Sequence, residues 1–186
     1  MTKKYELVLD DTISFWGWKL FRIRALISFG SVEVGDLGGY IEKEENLSHD
    51  GNAWVYGDAK VYGDAEVYGD AEVYGNAEVY GNAKVSGDAW VYGDAEVYGN
   101  AKVWGNAKVS GNAEVSELGD IIVFKNHWSS GRHFTYTKSN KMWKVGCFYG
   151  TGQELIEKAY RDSEKSGNYY KAYVDFVETL ERLSEE

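Results

Sequence analysis

Three histidines and one cysteine are the residues whose types suit general-base or nucleophilic chemistry: His49, His127, His133 and Cys147. A general base must come within hydrogen-bond reach of a substrate hydroxyl or amine. His49 lies just ahead of a long periodic tract, and His127 and His133 lie beyond it. The tract itself contains no histidine. These positions do not have the short paired spacing of a zinc site. The many aspartates sit next to glycines, where they serve as turn formers, and not in the Gly-Gly-x-Gly-x-Asp order that presents carboxylates to calcium. Glycine followed by Asp or Asn also lacks the strand–loop–helix context that a phosphate-binding loop requires. The expectation is a chain with no metal site and no cofactor. Aromatic side chains remain as the residues best suited to binding.

The element that must position them is a repeat. From Gly51-Asn52-Ala53-Trp54-Val55-Tyr56 to Gly111-Asn112-Ala113-Glu114-Val115-Ser116, eleven hexads of the form Gly-[Asp/Asn]-Ala-x-Val-[Tyr/Ser/Trp] follow without a gap. Ala and Val are two apart, so both point to one side of an extended strand; x and the last residue point to the other. Gly-Asp and Gly-Asn tolerate positive φ and make a corner. Valine at period six makes no 3.6-residue stripe, so a helix is not expected. A two-residue insertion, Glu117-Leu118, precedes Gly119-Asp120-Ile121-Ile122-Val123-Phe124, which reads as a twelfth, larger-cored unit. Glu45-Asn46-Leu47-Ser48-His49-Asp50 reads as a degenerate entry unit, with His49 where other copies have valine.

The array resembles the left-handed parallel β-helix of hexapeptide-repeat proteins. That resemblance implies three hexads per triangular coil, hence nearly four coils from eleven hexads, or about 17 Å of stacked strands. It also brings acyltransferase activity into consideration, although the family's interface histidine and extruded loop have no counterpart within the eleven hexads.

Three hexads per coil sort the outward residues into ladders. The first face carries Trp54, Glu72, Trp90 and Lys108, beside Tyr56, Tyr74, Tyr92 and Ser110. The second carries Lys60, Glu78, Glu96 and Glu114, beside Tyr62, Tyr80, Tyr98 and Ser116. The third carries Glu66, Lys84 and Lys102, beside Tyr68, Ser86 and Trp104. Stacked tyrosines stabilise neighbouring coils on their own account. Trp54 and Trp90 in place of charged residues go further. A contiguous aromatic strip rimmed by polar groups marks an interface. Trp54, Tyr56, Tyr74, Trp90 and Tyr92 are therefore the expected binding residues.

The flanks differ in composition. Residues 1–50 read as an N-terminal β cap and entry coil: a strand at Tyr5–Leu9, a turn at Asp10-Asp11 and a strand at Leu20–Leu26. Residues 51–124 are the β-helix. Residues 125–186 read as an α+β cap, with a hairpin around Ser139-Asn140 and two helices at about 152–163 and 168–183 divided by Gly167. The expected inward stripes are Leu155, Ile156, Ala159 and Tyr160, then Tyr169, Tyr173, Phe176, Val177, Leu180 and Leu183. The fold class is mainly β.

The 186 residues carry a net charge of −10, are 44% hydrophobic and 16% aromatic, and include no proline. That apolar content suffices for a core. The negative charge argues against direct nucleic-acid binding and suits a basic protein partner. With ten acidic residues and four lysines, the array is also weighed as a DNA mimic; its charges are spread over three faces and interrupted by tyrosines. No run approaches the roughly 18 apolar residues of a transmembrane helix. Met1-Thr-Lys-Lys-Tyr-Glu has no signal-peptide pattern, and a single cysteine fits a reducing cytosol.

Gly35-Asp36-Leu37-Gly38-Gly39-Tyr40-Ile41, with Gly51-Asn52-Ala53-Trp54-Val55 downstream and Gly146-Cys147-Phe148-Tyr149-Gly150-Thr151 near the C-terminus, resembles a family of phage and prophage accessory proteins. The resemblance implies a viral gene acting in the bacterial cytoplasm. The expected function is non-enzymatic binding of a host protein, such as a nucleic-acid-binding CRISPR or restriction complex, by a rigid β-helix face. Alternatives are a self-assembling homo-oligomeric scaffold, a nucleotide second-messenger sponge and a hexapeptide-repeat acyltransferase.

Overall fold

The computed structural model describes residues 2–186. The polypeptide opens with an antiparallel sheet of Tyr5–Phe15 (β1), Trp18–Ala25 (β2) and Leu37–Ile41 (β3). It then winds into a parallel β-solenoid about four turns deep, with three hexads per turn. The first face stacks Trp54–Val55 (β4), Glu72–Val73 (β7), Trp90–Val91 (β10) and Lys108–Val109 (β13). The second stacks Lys60–Val61 (β5), Glu78–Val79 (β8), Glu96–Val97 (β11) and Glu114–Val115 (β14). The third stacks Glu66–Val67 (β6), Lys84–Val85 (β9) and Lys102–Val103 (β12). Each residue thus lies over the one 18 positions away, as the hexad arithmetic expects.

The hexad explains the packing. Every Ala and Val of the eleven units is at most 1% exposed, and together they fill the solenoid interior. Coils are joined by backbone hydrogen bonds such as Lys60 N–H to Ala77 O (2.9 Å) and Tyr62 N–H to Val79 O (3.0 Å). Each corner glycine sits at positive φ, which L side chains resist.

A solenoid end carries unpaired backbone groups that must be covered. At the start, β3 pairs in parallel with β5, so the N-terminal strands continue the second-face sheet. Leu47 bridges to Val67 on the third face. Above β4 the cover is a side chain: Lys4, 1% exposed, donates from Nζ to Ala53 O at 2.8 Å. Its Nζ also lies 4.9 Å above the Phe29 ring. Lys4→Met orphans the Ala53 carbonyl and is expected to cost about 1–3 kcal/mol in denaturant unfolding at pH 7. Burial lowers the Lys4 pKa from 10.5 to about 8. Its folded pKa is below its unfolded one, so the unfolded chain holds more protons between these values. Stability from this group therefore rises with pH across that window, and the difference between wild type and Lys4→Met should show it.

The C-terminal unit is an antiparallel sheet of Ile121–Lys125 (β15), His133–Thr137 (β16), Met142–Val145 (β17) and Phe148–Thr151 (β18). The helices Gly152–Asp162 (α1) and Glu164–Ser184 (α2) pack on it. Its core holds Phe134, Tyr136, Trp143, Leu155, Ala159, Tyr170, Val174 and Val177. It meets the end of the solenoid through side chains: Lys108 N–H donates to Thr135 Oγ1 (3.0 Å) and Glu114 N–H to Ser139 Oγ (2.9 Å).

Four expectations are corrected. Asp10-Asp11 is no turn: β1 runs through it with a bulge between Val8 and Thr12, and the chain reverses at Trp16-Gly17. No twelfth coil forms, because Ile121–Lys125 pairs antiparallel with His133–Thr137. The helices divide at Ser163, whose extended backbone and side chain cap α2. Gly167 lies inside α2, where a Cβ would stand 2.2 Å from Tyr160 Cδ1. The α2 stripe is also displaced: Tyr170, Val174 and Val177 are buried, whereas Phe176 and Leu183 are 51% and 62% exposed. Among the described residues no helix is long and apolar enough to cross a membrane.

Candidate interaction faces

The first face places its five expected binding residues in three environments. Trp54 is a correction: it is 1% exposed, under the rings of Phe29 (5.3 Å) and Tyr5 (6.1 Å). It points away from the solenoid interior as the period-two rule requires, but the N-terminal segment lies over it. Tyr56 is half-buried and its hydroxyl meets Ser31 Oγ at 3.1 Å. Tyr74 and Tyr92 stack at 4.8 Å with 6° between planes. Trp90 is half-buried beside them, with the Lys108 ammonium 3.9 Å over its ring. Desolvation pushes the Glu72 carboxyl up and the Lys108 ammonium down from their ordinary pKa values. Cations of the chain itself already occupy part of this face, since Lys144 lies 5.7 Å from the Tyr92 ring.

On the second face Tyr62 is 7% exposed, and Tyr80 and Tyr98 are half-buried. Tyr62, Tyr80 and Tyr98 form a continuous stack, with centroids 5.1 and 5.2 Å apart. The β1–β2 hairpin leans over its upper end. Phe15 and Trp18 each stand 5.9 Å from Tyr62, and Trp16 at the tip is 85% exposed. Trp16 has φ 48°, a left-handed conformation that the tight Trp16-Gly17 reversal requires. Hairpin and ladder enclose a groove of about 840 Å³ that includes Glu78, Glu96 and Asp64. Tyr62 donates to Glu78 (3.2 Å) and Tyr80 to Glu96 (2.9 Å). Desolvation and the neighbouring carboxylates raise the pKa of both phenols, so they stay neutral donors.

Sequence reasoning missed Trp16 and Trp18. Their signal was a Trp-Gly reversal between two alternating segments, obscured by the stronger turn pattern of Asp10-Asp11.

The third face pairs Lys84 with Glu66 at 3.0 Å. Trp104 ends its ladder at 65% exposure, next in sequence to β12, which among the described residues has no strand beyond it.

The histidines occupy separate surroundings. His49 stacks on Tyr5 at 4.3 Å and its Nδ1 accepts the Lys4 backbone N–H at 3.2 Å, which ties it to the covered end of the solenoid. His127 Nδ1 lies 3.4 Å from the Tyr173 hydroxyl, and His133 is exposed on β16. Among the described residues no three His, Cys, Asp or Glu side chains cluster to hold a metal. No family model matches the chain, and no curated protein matches it in sequence.

Proposed function

We propose that the chain is a non-enzymatic binding protein, a left-handed parallel β-helix that holds a protein partner against its outward ladders. The observation that carries this reading is the second face: a stacked tyrosine strip continued by an exposed tryptophan hairpin and edged with carboxylates. Rings fixed by stacking and by the backbone lose little conformational freedom on binding, so contact energy is not spent on ordering them. Tryptophan and tyrosine are also the residue types enriched among interface hot spots. The half-buried Tyr56, Tyr74, Trp90 and Tyr92 would provide a second, smaller contact on the adjoining face. The flank resemblance to phage and prophage accessory proteins gives the partner a setting. In that setting the chain covers the basic channel of a bacterial defence complex and blocks it sterically.

Tagged protein mixed with bacterial host lysate should retain one near-stoichiometric protein. Trp16→Ala/Trp18→Ala should weaken that capture at least tenfold, and Tyr74→Ala/Tyr92→Ala should weaken it less. Retention unchanged in the tryptophan variant would remove the second face from this function.

A second reading, self-assembly, draws on the exposed Trp104 next to the open β12 edge. Light scattering should then show a concentration-dependent oligomer that Trp104→Lys dissolves.

A further inference from the structure

We infer that the second-face groove is built for a cation: it takes the arginine side chains of an extended basic segment of the partner. This rests on the protein-binding reading above and names the chemistry of what is bound.

The first observation is a charge conflict. Glu78, Glu96 and Glu114 are direct partners in a parallel sheet, so three carboxylates stand one above another. Neighbouring strands are only about 4.8 Å apart, and like charges placed opposite each other destabilise a sheet. The first face separates Glu72 from its neighbours by Trp54 and Trp90, and the third offsets its one like-charge contact, Lys84 over Lys102, with the Glu66–Lys84 ion pair. On the second face Lys60 reaches Glu78 at 3.7 Å. Among the described residues no cation comes within ion-pair distance of Glu96 or Glu114.

The second observation shows how a cation sits there. Lys60 Nζ lies 4.6 Å from the Phe15 ring centroid while it faces the Glu78 carboxylate. An aromatic face and a carboxylate thus hold one ammonium between them. One coil lower no lysine faces the Glu96 carboxylate; Tyr80, which donates to it, is stacked between Tyr62 and Tyr98, so a cation meets ring edges there and finds its open aromatic face on the hairpin. Trp18 and the exposed Trp16 extend the aromatic wall upward. A guanidinium suits such a site better than an ammonium, because it is planar, stacks on aromatic faces and is weakly hydrated. The groove is partly open to solvent, so a chain segment can reach it.

The probe is an acetylated, amidated Gly-Arg-Gly-Arg-Gly peptide, with a peptide carrying citrulline in place of arginine as its uncharged counterpart. Binding is followed by the indole N–H resonances of the full chain. The arginine peptide should shift Trp16 and Trp18 saturably. The citrulline peptide should bind at least tenfold more weakly, and so should the arginine peptide to Glu96→Gln. Asp88→Asn on the first face should change nothing. Glu96→Gln should also raise Tm, since it breaks the carboxylate stack; a lowered Tm would mean that Glu96 is a structural residue. Equal affinity for both peptides, or shifts confined to other tryptophans, would overturn the cationic occupant. If the arginine peptide fails while lysate capture still depends on Trp16 and Trp18, the groove binds protein by other chemistry. If both fail, the protein-binding reading falls with it.

Discussion

Trp54→Ala is expected to cost about 3–5 kcal/mol of stability and to leave the affinity of the folded protein for a partner unchanged. The indole is 1% exposed and lies against Phe29, Tyr5 and the first coil. Removing it leaves a cavity that the rigid strands on one side cannot collapse, and the rings on the other lose their support. For a chain of this size the loss corresponds to a Tm fall of roughly 10 °C. The effect should be local at first. A repeat array is stabilised coil by coil, so the coil containing Gly51 to Gly63 should lose amide protection before the lower coils do. Denaturant unfolding and hydrogen exchange check the two statements separately. A cost below about 1 kcal/mol, or a partner affinity that falls with intact folding, would return Trp54 to the surface role that its spacing suggests.

Trp54 also shows how far the sequence could be read. The period of six, the three hexads per turn and the inward Ala-Val pair were all legible, because each follows from contacts between a hexad and its counterparts 18 residues away. The ladders of the second and third faces were legible for the same reason, down to the Glu66–Lys84 pair. What covers the ladders was not. The period-two rule sends Trp54 outward, but only the tertiary placement of Lys4, Tyr5 and Phe29 decides that outward is not exposed. Gly167 failed similarly: a glycine in a helical pattern signals a break, yet here it makes room for the Tyr160 ring. Ile121 to Phe124 matches the apolar pattern of a coil, but the two inserted residues Glu117 and Leu118 release it from the stacking register, and antiparallel pairing with β16 wins. The groove of Trp16, Trp18 and Tyr62 joins residues more than 40 positions apart, beyond the reach of any periodicity. Its acidic side was visible in the Glu78 and Glu96 rungs of the second-face ladder, without the aromatic wall that gives it a use.

Two corner glycines separate what the bend requires from what the stack requires. Gly87 and Gly105 both adopt the left-handed conformation, at φ 68° and 62°. An added Cβ therefore meets the same intrinsic penalty at each, about 1–2 kcal/mol. Their surroundings differ. At Gly87 the new carbon would stand 2.9 Å from Gly105 N and 3.2 Å from Gly105 Cα, all backbone of the next coil. At Gly105 it would meet nothing within 4 Å. Backbone cannot rotate aside as a flexible side chain does, so Gly87→Ala must also push two coils apart at that corner, adding about 1–3 kcal/mol of overpacking. The Gly87→Ala cost should thus reach about 2–5 kcal/mol and the Gly105→Ala cost stay near 1–2 kcal/mol, both read from chemical unfolding of the full chain. Equal losses would mean that the corner conformation alone selects glycine. A larger loss at Gly87 means that glycine is also what lets one coil lie close upon the next. On that account the ring spacing of the tyrosine ladders, and with it the geometry of the groove, is set at the corners as much as in the strands.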